Sequence, residues 1–181
     1  MPKLFHISDN GEIERFEPRL PPSAGAGVSG LCVWAIDEQH LPHYLLPRDC
    51  PRVTFYPLPT SSPDDIRHFF GPGPAASTRH VIAIEAAWWQ RASQDSIWIY
   101  ELPAVPFTVT DAGAGYYIAR TTVIPLSRRL VPRPLDALVL TGVELRIVPS
   151  LWPLHDAIIR STLQFSCIRM RNAAPRSMES A

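Results

Sequence analysis

Residues 31–56 read LCVWAIDEQHLPHYLLPRDCPRVTFY, and this stretch decides the fold. Leu31 to Ile36 form an unbroken apolar run, the pattern of a buried strand. Asp37 follows as an N-cap for a short helix running to about Leu46, which Pro42 must kink or restart. Arg52 to Tyr56 are rich in β-branched and aromatic residues and read as a second strand. The unit is therefore strand, short helix, strand, with prolines fixing the joins.

The same texture extends in both directions. The chain has 181 residues and 20 prolines, spread along it rather than gathered in a linker. That spacing favours many short elements over a helical bundle. Residues 3–7 and, more weakly, 12–16 read as strands. Further strands are expected at HVIAIE, SIWIYEL (96–102), FTVT, YYIAR, TVIPL and VELRIV (143–148). Ser62-Pro63-Asp64-Asp65 is a strong helix start. RPLDALVLTG reads as a helix closed by Gly142, and Ser150 as the cap of LWPLHDAIIRS. LQFSCIRMRNA fits a strand or a helix. The expected fold is a single α+β domain over 1–181. It has two small, twisted, mostly antiparallel sheets with short peripheral helices. Residues 17–30 read as a surface loop and 173–181 as a disordered tail.

Seventeen basic and 17 acidic residues cancel, so no global field draws nucleic acid, although a local patch is not excluded. No apolar run approaches membrane-spanning length, which makes a cytoplasmic protein the expectation. The three cysteines are far apart and fit neither a disulfide frame nor a zinc site, so no metal is expected. The oligomeric state is open.

Several residues carry chemistry on paper. Gly25-Ala-Gly27-Val-Ser-Gly30 has dinucleotide spacing, but a strand follows it where a helix is required. His40 and His43 have ligand spacing, yet Pro42 between them spoils the helical face, so solvated or capping histidines are expected. In PRDCPR, Arg48 and Arg52 either hold an anion or pair with nearby carboxylates. Two arginines beside Cys50 would lower its pKa. Glu85, Glu101 and Glu144 are general-base or ribose-binding candidates on strands, with a satisfied edge residue as the alternative. Arg169 and Arg171, on one face of a strand, would reach phosphate or solvent.

The opening third, with LFHIS, VWAID and a tyrosine in EQHLPHYLL, resembles ADP-ribosyltransferase-like folds. The resemblance implies NAD as the first cofactor candidate. It carries over His6, Ser8, Trp34 and Tyr44 as NAD contacts, with Arg48 or Arg52 near the phosphates. A late-strand acid is part of that pattern; here Ala119-Arg120 stand in its place, and Glu101 and Glu144 are the weak substitutes. The chain as a whole is similar to a bacterial family of unknown function. The shared stretches are HIS…F.PR, VWAID…P.Y.LPRDCPRV and ELR…PSLWPL…FS.IRMRNA. The expectations are a nucleotide or NAD cleft with ADP-ribosyl-transfer-like activity, a non-catalytic nucleotide- or phosphate-binding module, or an interaction protein without a small ligand.

Overall fold

Short β-rich runs punctuated by proline build two sheets in a computed structural model, which describes residues 2–21, 27–71 and 80–176. The chain divides into two compact units, Met1–Arg48 with Ser96–Pro134, and Asp49–Asp95 with Leu135–Ala181. The architecture is α+β, with two mostly antiparallel sheets and few helices.

The first unit is a six-stranded antiparallel sheet. Its strands are β1 (Leu4–Ser8), β2 (Val33–Asp37), β5 (Ile97–Leu102), β6 (Phe107–Asp111), β7 (Tyr116–Ala119) and β8 (Ser127–Val131), in the order β6-β7-β2-β1-β5-β8. Because side chains alternate along a strand, register decides which residues share a face. Leu4 pairs with Leu102 and His6 with Tyr100. Leu4, Val33, Ala35, Tyr100, Leu102 and Ala119 accordingly form one core, closed over by Phe16 and Val123. Each fully buried Leu or Tyr there removes enough apolar surface to stabilise the fold by roughly 2 kcal/mol.

The second unit holds β3 (Arg52–Tyr56), β4 (Val81–Glu85), β9 (Glu144–Val148) and β10 (Gln164–Ile168), ordered β10-β3-β4-β9. β4 and β9 are parallel, so a long crossover separates them in sequence. Its helices are α1 (Pro63–Phe70), α2 (Trp89–Gln94), α3 (Pro134–Leu140) and α4 (Trp152–Ile158). Phe69 of α1 and Ile158 of α4 pack with Val53, Phe55, Val81 and Ala83. The Ser62 Oγ accepts from Asp65 N at 3.1 Å, as its cap position requires.

The structure corrects four local expectations and bears out a fifth. Residues 12–16 form no strand; only Phe16 bridges to Val123. TVIPL is likewise no strand, and the edge strand falls on Ser127–Val131 instead. Asp37 does cap, with Oδ1 accepting from His40 N at 2.9 Å, but the element it opens is a 3-10 turn, Leu41–Tyr44. Pro42 falls in its first turn, where proline is tolerated. Ser150 does cap α4 as expected: its Oγ accepts from Trp152 N at 3.3 Å, while Leu151 between them has helical dihedrals and makes no side-chain cap bond. Finally, β10 ends at Ile168, and Arg169 turns left-handed at φ 55°, so Arg169 and Arg171 do not share a strand face. Gly25 of the glycine motif lies outside the described residues, as do 72–79 and 177–181.

Candidate functional site

His6 sits where β1 and β2 part. Their paired registers are Leu4 with Asp37 and Phe5 with Ile36, after which the ladder stops. The His6 ring takes over the backbone acceptor beyond that point: its Nδ1 lies 2.9 Å from the Trp34 carbonyl oxygen. A carbonyl only accepts, so Nδ1 carries the proton and the neutral ring leaves Nε2 as a bare acceptor. Phe16 packs against the ring, with centroids 4.6 Å apart.

Burial lowers the His6 pKa, and the nearby positive charges of Arg48 and Arg19 push it the same way; the hydrogen bond to Trp34 opposes them. The guanidinium groups of Arg19 and Arg48 form no hydrogen bond or ion pair among the described residues, and both side chains are exposed. Arg19 is placed by its backbone, which exchanges two hydrogen bonds with Cys32 at 3.0 and 2.9 Å. A neutral imidazole with a bare Nε2 accepts from a hydroxyl, while two open forks bind phosphate oxygens. Arg19 was not singled out from sequence; its signal was its place as the arginine of the shared stretch HIS…F.PR.

Stability should follow the His6 titration. The folded pKa lies below the unfolded value of about 6.5, so the unfolded chain binds the proton first. The contribution is fully present above that value and is lost as pH falls through it toward the folded pKa. Urea midpoints between pH 7.5 and 5 should therefore fall for the native chain and fall less steeply for His6→Gln.

The other expected contacts do not gather around His6. Ser8 is buried and its Oγ accepts from Asn10 N at 3.1 Å, so it braces the turn that follows β1. Trp34 alternates with Val33 and Ala35, which places its indole on the opposite face of the sheet from His6. There it meets Tyr116 edge-on at 5.7 Å, and the Tyr44 hydroxyl donates to the Tyr116 hydroxyl at 2.7 Å. The Trp34 Nε1 is buried without an acceptor among the described residues. Glu101 pairs with Phe5, also on the face away from His6, and its Oε2 receives the Ser127 hydroxyl at 3.4 Å. Neither surface depression outlined in this unit includes His6. One, of about 610 Å3, is lined by Glu12, Ile13, Glu14, Pro125, Ser127 and Arg128. The other, of about 230 Å3, lies between Leu4, Val105, Phe107 and Tyr117.

His40 and His43 are buried rather than solvated. The His40 Nδ1 donates to Asp37 Oδ1 at 2.7 Å, and Gly115 lies directly against that pair. Among the described residues, no three His, Cys, Asp or Glu side chains are arranged to hold a metal.

In the second unit, Arg52 is a core residue. It is 2% exposed and its Nη1 donates to the Cys50 carbonyl at 2.9 Å, which removes it from contact with a phosphate ligand. The Cys50 thiol is pushed up to about 11, because burial outweighs the charges of Arg52 and Arg91. The expected activation of this cysteine is thereby reversed. Glu144 is held by Arg146, with Nε 2.6 Å from its carboxylate. Glu85 is 2% exposed and accepts from Leu151 N at 3.1 Å and Ala174 N at 2.9 Å, a structural brace rather than a base facing solvent.

A family model described as a family of unknown function (DUF6886) matches residues 5–173. The chain belongs to this family. The match takes in β1 with His6, the loop with Arg19, and Arg48, so the candidate site lies within the family's shared extent. No curated protein and no solved structure matches the chain. No helix among the described residues is long and apolar enough to cross a membrane.

Proposed function

We propose that the first unit is a binding module for a phosphate-bearing, nucleotide-like ligand. The observation that carries this is two exposed arginines, Arg19 and Arg48, that have no ion pair among the described residues and whose charges are felt at an imidazole locked by the Trp34 carbonyl. The arginines take the phosphates. The bare Nε2 of His6 accepts from a ligand hydroxyl such as that of ribose. Binding is favoured over catalysis because Glu101, the acid candidate of this unit, faces away from His6 and is engaged by Ser127.

ADP-ribosyl transfer on an ADP-ribosyltransferase-like scaffold is the second reading. Its support is the element order: a strand bearing His6, then β2, then a turn bearing Tyr44. Titration calorimetry on the full chain with ADP, ADP-ribose, NAD, nicotinamide and inorganic phosphate tests the proposal. The phosphate-bearing nucleotides should bind and nicotinamide should not. Arg48→Gln should weaken ADP by about tenfold or more, the loss of one charge-assisted pair. No heat from any nucleotide on folded protein would refute the module. Release of nicotinamide from NAD would move the assignment to the transferase.

A further inference from the structure

Residues 174–176 lie across the second unit as a bound peptide would. The Ala174 N–H donates to the buried Glu85 Oε2 at 2.9 Å, and the Trp152 Nε1 donates to the Ala174 carbonyl at 2.6 Å. Pro175 fixes its own φ and disfavours helical backbone at Ala174 before it. The Arg176 guanidinium then meets Asp156 with both Nη atoms, at 2.6 and 2.9 Å, and covers the Trp152 ring at 4.2 Å. His155 Nδ1 donates to the same carboxylate at 2.8 Å and fixes its orientation.

These contacts read both backbone polar groups of one residue and the charge, plane and π-face preference of an arginine two positions on. Two features separate this from an ordinary surface ion pair. The carboxylate that reads the backbone belongs to Glu85, 2% exposed, whereas the pair that holds the guanidinium is partly open, with Arg176 54% and Asp156 37% exposed. A prebuilt acceptor lies beneath a contact of the kind that exchanges readily.

We propose that Glu85, Trp152, His155 and Asp156 form a recognition site for an extended Ala-Pro-Arg segment. The chain's own residues 174–176 are its resident occupant, which an arginine peptide supplied in trans displaces. Tethering gives the resident tail a high effective concentration, so the native site binds an added peptide weakly. Emptying the site removes that competition.

The test uses the full chain carrying Ala174→Pro with Arg176→Ala. Proline has no N–H for Glu85, and alanine has no guanidinium for Asp156. The probe is acetyl-AAPRS-amide, followed through the Trp152 indole N–H and the His155 ring by NMR. The double variant should bind it at least about tenfold more tightly than the native chain. A probe with alanine in place of arginine should not bind, and adding Asp156→Asn should abolish binding. No shift of Trp152 or His155 in the folded double variant would overturn the proposal, as would equal binding of the alanine probe. If the double variant fails to fold, the native chain at millimolar probe decides: displacement shifts both signals, and unchanged signals reject the site.

Discussion

Gly115→Ala should cost about 3 to 5 kcal/mol, seen as a large drop in the urea midpoint. Two independent effects add. Gly115 has φ +70°, where a Cβ costs about 1 kcal/mol through its contact with the backbone. That Cβ would also stand 2.2 Å from His40 Nδ1 and 2.8 Å from Asp37 Oδ1. It would have to part the two groups whose hydrogen bond, at 2.7 Å, holds the turn after β2. His40 is 2% exposed, so its ring has no free volume to retreat into. The Gly115 carbonyl accepts from Asp37 N at 3.1 Å, and a shift of the backbone to relieve the clash strains that bond too. Gly142→Ala is the control. Its φ is +76° but nothing lies within 4 Å, so it should lose only the conformational part, about 1 kcal/mol. Equal losses at the two positions would show that the contact with His40 carries no weight.

Glu85→Ala should be the other large loss, about 3 to 5 kcal/mol. The carboxylate is the acceptor for two backbone N–H groups, Leu151 at the start of α4 and Ala174 in the tail. Alanine reaches neither. An unsatisfied buried donor costs about 1 to 3 kcal/mol, and the cavity left by the lost side-chain atoms adds to it. Glu85→Gln should cost about half as much, because the amide keeps one acceptor oxygen and turns a donor toward the other N–H. Denaturation of the three proteins at one pH gives the order native, glutamine, alanine. A glutamine variant as unstable as the alanine one would place the stabilisation in the charge rather than in the paired acceptors.

Local chemistry was legible in the sequence wherever period and punctuation agree. VWAID, RVTFY and SIWIYEL announce strands through their apolar runs, and Ser62-Pro63 announces a helix through its cap. The edge strand Ser127–Val131 was missed because four of its five residues are exposed, which leaves no buried face to imprint a period. Arg52 was misread for the opposite reason. A charged residue directly after Asp49-Cys50-Pro51 looks like part of a surface turn, yet pairing with Ile84 and Ile168 carries it into the core.

The site shows the same limit. His6 as a strand-end group was visible. That Trp34 and Tyr44 lie across the sheet from it was not, because face parity between two strands depends on a register set by non-local pairing. Glu85 as a cap for α4 and the tail was equally hidden, since its partners are 66 and 89 residues away.

The central claim is that His6, Arg19 and Arg48 form one ligand site, and the His6 ring reports on it most directly. Long-range proton–nitrogen NMR of the imidazoles should show His6 protonated at Nδ1 and bare at Nε2. Saturating ADP should then shift the His6 Nε2 signal, leave His155 unmoved, and lose its effect in Arg48→Gln. A His6 signal that stays in place at saturating ADP, on folded protein, would contradict the account.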